Sequence, residues 1–195
     1  MKTWMIAAGF CVLLGGGSAH AADFGCAGKN FVFFPGGAGQ QGRGQRTQGV
    51  IDGLKAAGVK VEYQEISDAV NADASQGIPI FSSFVASHPD IKAVVTDHGA
   101  LTATIPAYMN AAGKKPGEIC GAGFDLSAPI VKGLQDGAIA VVLDQQPFLQ
   151  GYLPIMQLYL TSKFGFAGIN VDTGAALITK DNVAAVASLA SDGIR

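Results

Sequence analysis

The sequence predicts an α/β fold of three layers, in which a five-stranded, mainly parallel sheet lies between two layers of helices. Patterns typical of strands and of helices alternate regularly from residue 29 onward. Several strand candidates are short, continuous apolar runs, as at residues 139–143, and such runs are typical of strands that are buried on both faces. Crossovers between parallel strands are right-handed, which favours the strand order 2-1-3-4-5.

The individual elements follow from local patterns. The first strand, at residues 30–34, leads into a glycine-rich loop at 36–44. A helix is predicted at 45–57, because its apolar residues share one face and Gly58 can end it. Alternating apolar residues predict the second strand at 59–66. The remaining strands are predicted at 91–96, 118–124, 139–143 and within 171–179. The remaining helices are predicted at 73–87, 100–112, 127–134, 148–163 and 182–190.

Residues 1–21 are predicted to be a secretory signal peptide. Lys2 provides a basic start, an apolar run of about eleven residues follows, and a small-x-small cleavage pattern ends at Ala21. A membrane-spanning helix would need about 20 apolar residues. We therefore expect cleavage after about Ala21 and a periplasmic location. No linker or internal repeat interrupts the rest, so residues 22–195 are expected to form a single domain of flavodoxin-like arrangement.

The composition excludes some classes of function. A net charge of -2 and a charged fraction of 14% leave no basic stripe for nucleic acid. After loss of the signal peptide two cysteines remain, Cys26 and Cys120. Either they form a disulfide, which an exported protein permits, or Cys120 is a small apolar strand residue. Neither these cysteines nor the histidines have metal-ligand spacing, and no cofactor is expected.

Polar side chains follow the predicted strands at the points where the strands end. The apolar strand at 139–143 runs into Asp144, Gln145 and Gln146, and Asp125 follows the fourth strand. Ligands of open α/β sheets bind outside the carboxyl ends of the strands. The same edge is also expected to hold Arg46, Thr96 and Asp97. The candidate ligand-binding residues are therefore, in chain order, Arg46, Thr96, Asp97, Asp125 and Gln145. A guanidinium, carboxylates and an amide suit a polyhydroxylated ligand.

Several short motifs resemble one family. They are R-x-x-G at 46–49, HPDI at 88–91, GFD at 123–125, DG at 136–137, DQQPFLQGY at 144–152 and TGAALITKDNV at 173–183. In order and spacing they resemble the C-terminal lobe of the periplasmic sugar-binding proteins of ABC importers, the type I, ribose-binding-like class. The resemblance covers about residues 29 to 190.

The resemblance implies a non-enzymatic protein that binds a sugar and delivers it to an importer permease. It implies ligand contacts by Arg46, by the Thr96-Asp97 pair, by Asp125 and by Gln145. Relatives that bind ribose carry an Asn-Asp pair where this chain has Thr96-Asp97. A hydroxyl therefore replaces an amide, and this bears on which sugar is bound.

The resemblance also implies that a lobe is missing, because family members clamp the sugar between two lobes. In the family, the helix that matches residues 148–163 packs on the other lobe. Its apolar face consists of Leu149, Leu153, Met156 and Leu160. We expect this face to fold back onto the sheet, or to be covered by a second lobe or by a second copy of the chain, and we expect exposure least of all. A half site is expected to bind sugar weakly.

Three other functional interpretations stay open at this point, and a fourth possibility is a truncated gene product without a function of its own. The chain could be a periplasmic sensing lobe that docks a membrane receptor. The chain could also be a dinucleotide-binding enzyme, because residues 37–42 fit G-x-G-x-x-G and Glu65 follows at about the distance found in such enzymes. A hydrolase is the least favoured reading, since no G-x-S-x-G occurs, and His98 is interpreted as a residue at the rim of the binding cleft.

Overall fold

The structure, a computed structural model, describes residues 30–34, 43–174 and 176–195. The expected signal peptide, Cys26, the glycine-rich loop and the dinucleotide-type motif within that loop lie outside these residues. So do the side chains of the first strand.

A six-stranded sheet forms the centre of the described chain. Its strands are β1 Asn30–Phe34, β2 Val61–Tyr63, β3 Ile91–Thr96, β4 Cys120–Phe124, β5 Val141–Asp144 and β6 Ala176–Thr179. They lie in the order β2-β1-β3-β4-β5-β6. The first five strands pair in parallel, and β6 pairs antiparallel with β5. The prediction of an α/β fold with a mostly parallel sheet is confirmed.

A strand was predicted within residues 171–179, but not its place as an antiparallel sixth strand beside β5, and the path of the chain explains this pairing. Gln146 and Gln150, near the end of β5, both donate from their side-chain amides to Thr173, at 2.9 and 3.3 Å. These bonds bring the chain back to the edge from which it departed. The next strand must therefore start at that edge and run against β5, so that Asp144 lies opposite Ala176.

Seven helices are described: α1 Arg43–Ala56, α2 Asp68–Ala72, α3 Ile78–Ser87, α4 Gly99–Ala111, α5 Ala128–Asp136, α6 Pro147–Phe164 and α7 Ala187–Ser191. Where one helix was predicted at residues 73–87, the structure has a 3₁₀ turn followed by α3, and α2 precedes them both. Local caps explain the break, because Ser67 accepts from Val70 N and Asp73 accepts from Ser75 N. A proline, Pro79, lies in the first turn of α3, where it disrupts no helical hydrogen bond.

The main core lies between the sheet and α3, α4 and α5. Phe81 and Tyr108 stack with 5.3 Å between ring centroids, and both are fully buried. The Tyr108 hydroxyl donates to Ala74 O at 2.6 Å. Burial, and to a lesser extent the charge of Asp73, raises the pKa of Tyr108 far above its ordinary value. The phenol therefore stays protonated and fastens the 3₁₀ turn to α4.

Cys120 is disulfide-bonded. The alternative interpretation, that it is only a small apolar residue of its strand, was wrong. The sequence has two other cysteines, Cys11 and Cys26, and both lie outside the described residues.

Helix α6 is largely exposed. None of its residues is buried, and Ile155 and Leu158 are each 66% exposed. The helix packs against the segment that follows it, since Thr161 Oγ1 donates to Phe166 O at 2.8 Å and the Gln157 side chain accepts from Ile169 N at 2.7 Å. The expectation that α6 folds back onto the sheet was wrong, and the exposure that we expected least is what the structure shows. Within the described residues, no helix has both the length and the apolar character needed to cross a membrane.

Replacement of Gly123 by alanine tests the packing beneath the carboxyl ends of the strands. A Cβ at Gly123 would overlap the hydroxyls of Thr96 and Thr102, which lie 2.8 Å apart. We expect Gly123→Ala to lower the free energy of unfolding by about 1–3 kcal/mol, measured by urea denaturation. Gly53→Ala is the control, because no atom lies within 4 Å of its added Cβ and alanine favours the helix. Equal effects of the two changes would contradict this packing.

Candidate functional site

The carboxyl ends of β3, β4 and β5 meet at one side of the sheet, together with the first turns of α1. We call this region the carboxyl edge and define it by Arg46, Asp97, Asp125 and Gln145. These residues lie up to 99 positions apart in the sequence, yet hydrogen bonds join them directly. The parallel pairing of the strands explains the convergence, because it directs every carboxyl end to the same side.

Arg46 is the centre of the carboxyl edge. Its guanidinium donates from one nitrogen to Asp97 O at 2.7 Å and from the other to Gln145 Oε1 at 2.6 Å. The same group lies over the ring of Phe124, 4.5 Å from the centroid. Hydrogen bonds and cation–π contact together hold a partly buried cation between the ends of three strands.

Gln145 and Asp125 continue the network. The Gln145 amide accepts from Arg46 and donates to Asp125 Oδ1, so its orientation is determined at both ends. The second carboxylate oxygen of Asp125 accepts from Gly99 N, the first residue of α4, at 3.1 Å. A negative charge at the start of a helix is also favoured by the helix dipole. Asp125 is thus tied to both β5 and α4 while its side chain stays partly exposed.

Two of the turns at this edge have unusual backbone conformations. Asp125 has φ of 70° and Gln146 has φ of 56°, the left-handed region that favours glycine. Such a conformation costs about 1–3 kcal/mol and persists only where the surroundings fix it. Asp125 follows the end of β4 and is a hydrogen-bond partner of Gln145. Gln146 lies just after β5 and directly follows Gln145.

The Thr96-Asp97 pair is more buried than the sequence indicated. Both residues have no exposed surface. Thr96 Oγ1 is hydrogen-bonded to Thr102 Oγ1. This hydroxyl therefore lies inside the protein and is not part of the network formed by Arg46, Gln145 and Asp125. Asp97 takes part through its backbone oxygen, while its Oδ1 lies 2.9 Å from His98 Nδ1. The Nε2 atom of His98 is buried, and it has no hydrogen-bond partner among the described residues.

Tyr63 is a residue at this edge that the sequence interpretation did not select. It ends β2 and is 42% exposed. Partial burial, followed by the charges of Glu65 and Asp97, raises the pKa of Tyr63 above its ordinary value. Because β2 pairs in parallel with β1, its carboxyl end points to the same side of the sheet as that of β3. An aromatic residue at the end of a predicted strand was the available signal, but the strand was expected to continue to residue 66.

A separate apolar groove of about 380 Å³ lies between α4 and α5. Its lining includes Pro106, Met109, Lys114, Pro116 and Ala138. Pro116 and Ala138 precede β4 and β5, so the groove lies toward the amino ends of the strands, opposite the carboxyl edge. Its polar lining consists of Asn110, the lysines and Asp136, whose carboxylate is paired with Lys132, and it contains no guanidinium. We therefore regard the carboxyl edge as the better candidate for a polar ligand. Across the described residues, no three His, Cys, Asp or Glu side chains are grouped as a metal site would require.

A family model described as the periplasmic binding protein domain matches residues 12–164. The chain belongs to the periplasmic binding protein family. This confirms the resemblance drawn from the motifs. The chain is 31% identical over 159 residues to a xylose/arabinose-binding protein of Sulfolobus acidocaldarius, covering 78% of this chain and 38% of that protein. It is 29% identical over 101 residues to a D-ribose/D-allose-binding protein of Pseudomonas aeruginosa, covering 52% and 30% of the two chains.

Solved structures of periplasmic binding proteins show the same fold. A carbohydrate transporter solute binding protein of Agrobacterium radiobacter, in complex with D-arabinose, has a TM-score of 0.71 and 26% identity, covering 86% of this chain and 56% of that one. A carbohydrate transporter of Acidothermus cellulolyticus, in complex with myo-inositol, has a TM-score of 0.71 and 23% identity, covering 86% and 57%. This chain therefore spans little more than half the length of these structures, and less than half that of the curated relatives.

A double-mutant cycle tests whether the carboxyl edge acts as a network. We expect Arg46→Ala and Gln145→Ala to be non-additive in unfolding free energy by about 1 kcal/mol, because each removes the same charge-assisted hydrogen bond. Gln48 and Asp52 form an exposed side-chain bond on α1 and provide the control pair, with expected coupling below about 0.5 kcal/mol. Coupling in the Arg46–Gln145 pair no larger than in the control would contradict the network.

Proposed function

We propose that this periplasmic binding protein chain binds a small carbohydrate at the carboxyl edge and has no catalytic role. The network of Arg46, Gln145 and Asp125 supports this most directly. Its three side chains are tied to one another, yet each stays partly exposed. Such groups are pre-organised, and a ligand does not have to order them at the expense of affinity.

The chemistry of these groups suits vicinal hydroxyls. Each carboxylate oxygen of Asp125 has one protein donor and retains further acceptor capacity. The Arg46 guanidinium uses two of its nitrogens in bonds to the protein and has further N–H donors. Tyr63, at the carboxyl end of β2 on the same side of the sheet, offers an aromatic surface that is 42% exposed. A sugar ring needs acceptors, donors and an apolar face, and this edge supplies all three.

A pentose is the first ligand to test. The relative with 31% identity is a xylose/arabinose-binding protein, and the structure with 26% identity holds D-arabinose. Of the five residues that the resemblance implies as contacts, we propose that Arg46, Asp125 and Gln145 touch the sugar. Thr96 and Asp97 would act from beneath, because both are buried.

The exposed face of α6 supports a second lobe as the partner of this chain. Phe148, Tyr152, Ile155 and Tyr159 are 47–66% exposed and follow the spacing of a helix–helix seam. Complete burial of one such side chain stabilises a protein by about 1.5–3 kcal/mol. Because these side chains are about half exposed, roughly half of that free energy can still be gained when a partner covers them. The two solved structures described above are nearly twice as long as the part this chain matches. We propose that a lobe equivalent to their remaining portion covers α6, and that the assembled protein serves an ABC importer permease after export to the periplasm.

Sugar titration tests the proposed site. We expect the isolated chain to bind D-arabinose, D-xylose or D-ribose weakly, roughly in the millimolar range, because half of the contacts of a two-lobe site with about micromolar affinity are lost. Asp125→Ala should weaken the binding at least tenfold in isothermal titration calorimetry, and the exposed-site control Lys132→Gln should not change it. Submicromolar binding by a verified monomer would contradict the half site, and unchanged binding by Asp125→Ala would contradict the location.

The partner is tested by sedimentation velocity. The probe is the portion of the Agrobacterium radiobacter protein that this chain does not match, expressed as a separate polypeptide. We expect association with the wild-type chain and its loss in the double variant Ile155→Gln and Leu158→Gln, whose stability should change by less than about 0.5 kcal/mol because both side chains are exposed. A dimer of the chain alone that the same variant dissociates would replace the second lobe with a second copy. A clear loss of stability in the variant would show that α6 is already covered within the chain.

A further inference from the structure

We propose that Arg195 is a positioning residue for the carboxyl edge, which acts through Asp144 to hold the turn that presents Gln145. The geometry stands by itself, whereas the consequence for ligand affinity rests on the proposed function. The motifs that resemble the family end before residue 190 and do not include Arg195.

The proposal is based first on a buried ion pair between Arg195 and Asp144. Asp144 is the last residue of β5 and has no exposed surface. Arg195 reaches its Oδ2 atom with Nε and with one terminal nitrogen, each at 2.9 Å, and the arginine side chain is 25% exposed. Among the described residues, no other basic side chain forms an ion pair with Asp144. Removal of the arginine would leave a buried carboxylate without its counter-charge, which is strongly unfavourable.

The other oxygen of Asp144 holds the turn itself. Asp144 Oδ1 accepts from Gln146 N at 2.9 Å, and Gln146 is the residue with φ of 56°. Gln145 lies between these two residues, and its own amide reaches Arg46 and Asp125. The carboxylate therefore has Arg195 on one side and the strained turn on the other. If its position is lost, the turn can relax toward a more common conformation, and the Gln145 amide moves with it.

The segment after α7 brings Arg195 to this place. Ile194 N and Arg195 N both donate to Leu189 O, at 2.9 and 3.2 Å. These bonds fasten the segment to the end of α7, which packs on α5. The guanidinium is thus delivered to the end of β5 by an element that contributes no residue to the carboxyl edge.

The test compares Arg195→Gln with the conservative Arg195→Lys and with the surface control Lys132→Gln, whose partner Asp136 is exposed. The first readout needs no ligand: the ¹H–¹⁵N resonances of the side-chain amides of Gln145 and Gln146 in the full chain. In Arg195→Gln we expect both amides to shift toward the positions of unconstrained glutamine, while Arg195→Lys keeps most of the wild-type shifts and Lys132→Gln keeps all of them. The second readout is D-arabinose affinity, expected to fall at least tenfold in Arg195→Gln and to be largely restored in Arg195→Lys.

A purely structural role for Arg195 would give a different pattern. Arg195→Gln would then lower the melting temperature but leave the Gln145 and Gln146 resonances and the affinity of the folded protein unchanged, and this would overturn the proposal. If the wild-type chain shows no binding of D-arabinose, the proposed function fails, and the amide resonances still decide the role of Arg195. If Arg195→Gln does not fold, the double variant with Asp144→Asn removes both charges, leaves no unpaired buried ion and is judged by the same readouts.

Discussion

The carboxyl edge depends on the position of one guanidinium. Arg46 comes from α1, yet it bonds to the end of β3 and to the turn after β5, 51 and 99 residues further along the chain. It also lies over Phe124 at the end of β4. Three neighbouring strand ends are therefore joined by one side chain. Since a planar donor with several N–H groups is required to do this, lysine would not be an equivalent residue.

The rest of the structure explains how a partly exposed polar network can be held rigidly. Asp125 and Gln146 adopt left-handed backbone conformations, and each is fixed by contacts on more than one side. A second tier lies beneath, where Thr96 and Thr102 share a hydroxyl–hydroxyl bond. In contrast, α6 begins next to this edge and has no buried residue. The chain thus combines a well-ordered polar edge with an exposed apolar helix, in line with the proposed role as one lobe of a two-lobe protein.

Much of the fold could be predicted from the sequence, because alternating apolar strands and amphipathic helices report directly on a parallel sheet. The convergence of Arg46, Asp125 and Gln145 could be predicted as well, since parallel pairing sends all strand ends to one side. Details that depend on tertiary contacts could not. Nothing local indicates that Thr96 faces Thr102, that Arg195 reaches Asp144, or that α6 packs on its own return segment. The break before α3 was missed for another reason, since the caps at Ser67 and Asp73 compete with helix continuation.

The most direct test of the account is to map where D-arabinose contacts the chain, by chemical-shift changes of backbone and side-chain amides during titration. We expect the largest changes at the amide of Gly99, which donates a hydrogen bond to Asp125, and at the side chains of Gln145 and Arg46. Changes centred instead on the groove between α4 and α5, near Met109 and Ala138, would contradict it.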